Sequence, residues 1–202
     1  DCHDVLRCLA KFAKGQGITS VALISTWTGN IRWARNQVTT SGEVQDNFIL
    51  VQRNIVGANA SVRINDTATA ALVAAARRSE RLSGIVKEHP NSDLVDRLPL
   101  EPGLQPEIFS EATYQLDAEK RAAAAIALTK QAQAAGMLSA GYIEVSAVSM
   151  ATLDTLGRVR YFPYSQAQYS VTVRDPQGTG SGWAGVDWHD WQKIDAAALT
   201  AQ

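Results

Sequence analysis

Residues 157–185 read GRVRYFPYSQAQYSVTVRDPQGTGSGWAG, and this stretch decides the fold class. Tyr169, Val171 and Val173 alternate with Ser170, Thr172 and Arg174, the period of two expected of a half-buried strand. Val159, Tyr161 and Phe162 form an earlier run. Asp175-Pro176-Gln177-Gly178 is a turn, because proline pre-sets φ and glycine accepts the unusual dihedral. The expected order is strand, turn, strand, turn, then a glycine-rich strand leading into a final helix that Asp187 begins.

Outward from this stretch the pattern is helices mixed with antiparallel strands. Val5, Leu6, Leu9, Phe12 and Ala13 fall at helical spacing over 3–14, with Gly15 and Gly17 as the stop. Ser20–Thr28 reads as a strand, Gly29-Asn30 as a hairpin turn, and Ile31–Arg35 as the return strand. Ser41-Gly42 is another turn, Asp46–Ile55 a third strand and Ser61–Ile64 a fourth. Asn65 or Asp66 caps a helix from about Thr67 to Leu82. Residues 83–116 hold four of the six prolines and read as an irregular connection packing along both halves. Asp117 caps a helix over Ala118–Ala135, which Gly136 stops, and Ser139–Ser149 is a strand.

The order helix, strands, helix thus runs twice, over 1–82 and 117–202. The expected fold is α+β, two related modules of antiparallel sheet with helices on one face. The chain begins without methionine and ends in an alanine-rich helical pattern, so it is expected to be a piece of a longer protein.

Composition narrows function by exclusion. Nineteen Lys and Arg against 20 Asp and Glu give a net charge of −1, which supplies no bulk attraction to nucleic acid or an anionic membrane. No apolar run has the length of a membrane span. Cys2 and Cys8, six apart on one expected helix, point to different faces, so a reducing cytosol is the simpler setting.

Gly180, Gly182 and Gly185 match the letters of a dinucleotide-binding loop. They follow a hairpin turn rather than a parallel strand, so a glycine-rich strand open to close approach fits better. Trp183, Trp188, His189 and Trp191 crowd the end of the chain. Either they form a contact surface or they pack a helix onto a sheet. Gly180, Gly182, Trp183 and Trp188 are the candidate substrate or partner contacts. Asp187, His189 and Asp190 do not have the spacing of a metal site, and no catalytic residue or metal ligand is assigned. Arg77, Arg78 and Arg81 read as a solvated helix face.

Trp27–Val38 (WTGNIRWARNQV) and Ala60–Asn65 resemble the N-terminal part of the TldD/TldE (PmbA) family. Phe109–Tyr114, Asp154–Gly157, Thr179–Gly185 and Ile194-Asp195 are similar to its central region. The resemblance implies components of a zinc metallopeptidase, once called modulators of DNA gyrase, that degrade unfolded or short peptides as dimers. The TldD-type subunit carries an HExxxH zinc motif and the TldE-type partner lacks it. No HExxxH occurs in these 202 residues, so no cofactor is expected here and zinc is implied only for the complete TldD-type enzyme. The implied role is a substrate-channel and dimer-interface scaffold, inactive alone and cytoplasmic, facing a peptide and a TldD/TldE-type subunit. The alternative is a non-catalytic TldE-like binding module.

Overall fold

The computed structural model describes Asp4, Val5, Arg7, Leu9 and residues 17–55, 58–86 and 107–202. Six strands occur among these: β1 (Ile18–Ala34), β2 (Gln37–Ile55), β3 (Ala58–Ile64), β4 (Leu138–Asp154), β5 (Val159–Arg174) and β6 (Ser181–Trp188). They form an antiparallel sheet in the order β3-β2-β1-β4-β5-β6. The helices are α1 (Thr69–Val86), α2 (Glu111–Tyr114), α3 (Ala118–Ala134) and α4 (Ala196–Ala201), with a 3₁₀ turn at Trp191–Lys193. The class is α+β, as expected.

Two compact units emerge, and β1, β2, β4 and β5 each contribute a segment to both. The first comprises 1–25, 46–106 and 149–162. Its core joins Val21, Ile49, Val51, Val62 and Leu153 to Leu72, Ala75 and Ala76 of α1, with Val5 and Leu9. Arg53 is buried inside it. Its guanidinium reaches Glu80 at 2.9 Å and Thr19 Oγ1, while its backbone N–H donates to Ser79 Oγ. Arg77, Arg78 and Arg81 are exposed, as the solvated face requires.

The second unit comprises 26–45, 107–148 and 163–202. Ile31, Trp33, Ile143, Val145, Ala167, Tyr169 and Val171 point to one side of its strands, where Ala125 and Leu128 of α3 and Ala196 of α4 meet them. Trp33 stacks on Tyr169 with ring centroids 6.2 Å apart. Asp117 caps α3 by accepting from the Lys120 N–H at 2.9 Å, and Gly136 follows the helix at φ 74°. Asp195 caps α4 through the Ala198 N–H.

Three expected turns are strand instead. Gly29-Asn30 and Ser41-Gly42 lie inside β1 and β2, so the four short strands expected before residue 65 are three, two of them long. The reversal occurs at Arg35-Asn36, with φ of 51° and 62°, the paired left-handed dihedrals of a type I′ turn. Gly29 serves a close approach by Arg121 rather than a turn. The expected break between the two runs of β5 is also absent, and Pro163 sits within the strand. Beyond the end of β6 that edge of β5 is covered by another segment. The Ser165 N–H donates to Ile108 C=O at 3.0 Å, and Ser110 N–H donates to Ser165 Oγ at 2.8 Å. Pro163, lacking an N–H, fits such a strand edge.

The last helix does not begin at Asp187. β6 runs on to Trp188, Asp190 caps the 3₁₀ turn, and α4 starts after Asp195. The expected stop at Gly15, the two cysteines, the turn at Val56-Gly57 and positions 87–106 of the connection lie outside the described residues.

Candidate functional site

The chemistry-bearing residues singled out in the sequence fall on or beside β6. This strand pairs with β5 over Ser181–Trp188, from Arg174↔Ser181 to Ala167↔Trp188, and ends the strand order. Its outer edge therefore has no strand neighbour among the described residues. An eight-residue edge usually carries lysine, proline or a covering segment to block further pairing. Here Asp187 is its only charged residue, and glycine occupies Gly182 and Gly185.

The turn that delivers β6 is held by one carboxylate. Asp175 accepts from Thr179 Oγ1 at 2.9 Å, from the Thr179 N–H at 3.2 Å and from the Gly180 N–H. These donors, Thr179 Oγ1 first, hold its carboxyl below the usual aspartate value. Gly178 completes the turn at φ 76°, its N–H donating to Asp175 C=O at 3.0 Å.

Alternation along β6 separates the two candidate tryptophans. Trp183 lies on the side away from α3 and is 71 % exposed. Its indole N–H donates to Ser170 Oγ at 2.9 Å. The ring lies across Gly185, where an added Cβ would fall 2.6 Å from Trp183 Cζ2. The hydrogen bond thus draws the indole inward over β5 and away from the outer edge. Trp188 belongs to the opposite side with Ala184 and Val186, is 51 % exposed, and lies 5.4 Å from the His189 ring. Gly182 has open space where a side chain would stand, and Gly180 is in the turn. The structure therefore places all four candidates near one strand without joining them into one cluster.

Polar residues continue the surface around Trp183. Gln166 and Gln168 donate to the Asp187 carboxylate at 2.7 and 2.6 Å. Tyr142 Oη donates to Gln168 Oε1 at 3.4 Å, and Arg32 stands over the Tyr142 ring. Beneath the other side of β6 are two hollows. The larger, about 540 Å³, is lined by Ala132, Val171, Val173, Gly182, Ala184 and Leu199 among others. The second, about 430 Å³, is lined by Val186, Trp188, His189 and Lys193. The sequence did not mark Ser170 or the hollows. Cross-strand register, not local pattern, brings Ser170 opposite Gly185 and Val171 opposite Ala184.

The donor set does not suit the zinc implied by the family resemblance. Asp187 faces the two glutamines, and Asp190 accepts from Ser110 Oγ and Gln192 N–H. Among the described residues no three His, Cys, Asp or Glu side chains converge. No helix among them is long and apolar enough to cross a membrane.

No protein-family profile matches the sequence, and no curated protein matches it. Solved structures do match in fold. A candidate modulator of a DNA gyrase from Thermotoga maritima superposes with a TM-score of 0.76 at 11 % identity, covering 98 % of this chain and 45 % of that one. TldE from Thermococcus kodakarensis gives 0.75 at 12 % identity, again over 98 % and 45 %. A candidate modulator of DNA gyrase from Bacteroides thetaiotaomicron gives 0.72 at 10 % identity, over 99 % and 47 %. The chain therefore spans less than half the length of these structures. Over nearly all of its own length it has the fold they share, which is the fold of the family its sequence resembles.

Proposed function

We propose that this chain is the substrate- and partner-holding portion of a TldD/TldE-like protein acting in metal-dependent proteolysis. Its part is to hold unfolded or short peptides in extended form, as an added strand on the outer edge of β6. Peptide-bond hydrolysis belongs to zinc chemistry outside these 202 residues. The observation that carries the reading is the open edge of β6, while 108–110 cover the neighbouring edge of β5. An extended peptide satisfies the free N–H and C=O groups of such an edge, giving affinity that depends little on sequence. That property suits a protein that takes many unfolded substrates. The setting we propose is cytoplasmic, with a second TldD/TldE-type subunit as partner.

The test is binding of a fluorescent unfolded peptide to the full chain, compared with the same peptide N-methylated at alternate residues. Strand addition predicts that N-methylation abolishes binding. Equal binding of both peptides, or binding of neither, overturns the reading.

A second reading is a TldE-like partner that hydrolyses nothing, favoured by the superposition on a TldE. Zinc content and chelator-sensitive cleavage by the complete gene product separate the two. Bound zinc with cleavage supports the TldD type, and neither in isolation supports the TldE type.

A further inference from the structure

The two hollows lie under successive parts of one strand, on one side of it. The first is reached from Gly182 and Ala184, the second from Val186 and Trp188. Their centres are therefore about four residues apart along β6, or roughly 13 Å at strand rise. A strand added to β6 presents every second side chain to that side, so its residues i and i+4 meet the two hollows together. A spacing of three sends one of them to the opposite face.

The linings differ in chemistry. Val171, Val173, Ala184 and Leu199 give the first hollow an apolar floor. Arg174, which strand alternation sends to the opposite side of β5, and Asp175, whose carboxylate Thr179 and Gly180 engage, also line it. The second carries Lys193, whose ammonium has no side-chain partner among the described residues. An acidic side chain there would supply the missing countercharge. Antiparallel addition, which continues the pattern of the sheet, places the acidic residue first in the peptide.

Resting on the proposed strand addition at β6, we infer that the edge selects extended peptides with an acidic residue followed four positions later by a large apolar one. The edge backbone provides general affinity, and the two hollows provide preference and register. Gly182 leaves the first hollow open, and Trp183, drawn over Gly185 on the other side, leaves the edge clear.

The test uses the full chain and labelled nine-residue peptides in a Ser/Thr background, read by fluorescence anisotropy. The reference peptide has Glu and, four positions on, Leu. The comparisons place them three apart, or replace Glu by Lys. Losing one seated side chain predicts about tenfold weaker binding for the three-apart peptide. Lys193→Glu, an exposed position that leaves the fold intact, should reverse the preference between the Glu and Lys peptides. Peptides that bind alike at either spacing and with either charge, yet lose binding on N-methylation, overturn the selectivity and leave strand addition standing. Binding that is absent, or that survives N-methylation, overturns strand addition and the selectivity with it.

Discussion

The guanidinium of Arg121 lies against the backbone of Gly29, so that a Cβ on Gly29 would fall 2.5 Å from Arg121 Cζ. Arg121 rises from α3 in full burial, donates to Leu116 C=O at 2.6 Å and pairs with Glu43 at 2.7 Å. Trp27 flanks it at 5.6 Å. A glycine in the middle of a long strand is thus explained by the arginine that crosses it. Gly29→Ala should displace the buried charge from its partners and destabilise the fold by about 2–4 kcal/mol. Urea unfolding of Gly29→Ala, Arg121→Met and the double variant checks this. The two sites touch, so the double variant should be less destabilised than the sum of the singles. Additive losses would show that Gly29 acts on something else.

The same pair shows why part of the topology was hidden. Gly29-Asn30 carries the letters of a hairpin, but its glycine answers to a residue 92 positions later. Local pattern cannot report that distance. The real reversal uses Arg35, a residue with no special liking for positive φ, and Asn36, which has some. Helices α1 and α3 were legible because capping and alanine-rich composition are local signals. The final helix was misplaced because Asp187 resembles a cap, whereas its carboxylate is engaged by Gln166 and Gln168 across the sheet. At the candidate site, Trp183 and the glycines were visible as letters. The hydrogen bond to Ser170 and the hollows under β6 arise only from strand register.

Asn36 fixes the β1–β2 turn to β4. Its Oδ1 accepts from the Ser139 N–H and Oγ, both at 2.7 Å, and its Nδ2 donates to Met137 C=O at 2.8 Å. Asn36→Ala loses these bonds and puts alanine at positive φ. The expected cost is about 2–3 kcal/mol. Arg35→Gly, which relieves the same kind of dihedral without removing a partner, should raise stability by about 0.5–1 kcal/mol. Thermal unfolding of both variants tests the assignment of the turn, because a hairpin at Gly29-Asn30 would leave both nearly neutral.

Tyr169 gives the fold an alkaline limit. Burial pushes its phenol above the usual tyrosine value, and the hydrogen bond with Thr200 opposes this in part. A raised folded value means that its contribution is complete below the unfolded pKa near 10 and is lost as pH rises through the folded value. Stability should therefore fall above about pH 10. Tyr169→Phe should cost about 1 kcal/mol at neutral pH by losing the bond to Thr200. It should also make the alkaline limb shallower. Denaturant midpoints from pH 7 to 11 measure both, and an unchanged limb would assign the alkaline loss to other groups.

The seat of Trp183 tests whether the outer edge of β6 is kept clear. With 71 % of its surface exposed it adds little to the core, so Trp183→Ala should change stability by less than about 0.5 kcal/mol. Its indole is nevertheless held in one place, by Ser170 Oγ and by the flat backbone at Gly185. Seated there, the ring lies over β5 and stays off the outer edge, which leaves the β6 backbone clear for a peptide. Trp183→Ala removes a ring that an edge-bound peptide does not meet, so it should leave peptide binding within about twofold. Gly185→Val provides the sharper comparison. It leaves Trp183 in the sequence but pushes the indole off its seat, since a Cβ there would lie 2.6 Å from Cζ2 and 2.8 Å from Cη2. If seating the ring is what keeps the edge clear, Gly185→Val should weaken binding about fivefold where Trp183→Ala does not. If binding falls with Trp183→Ala but ignores Gly185→Val, the peptide meets the ring itself, and the clear edge is overturned. If neither variant alters binding, the unseated ring does not reach the edge, and its seat on Gly185 has no part in peptide access.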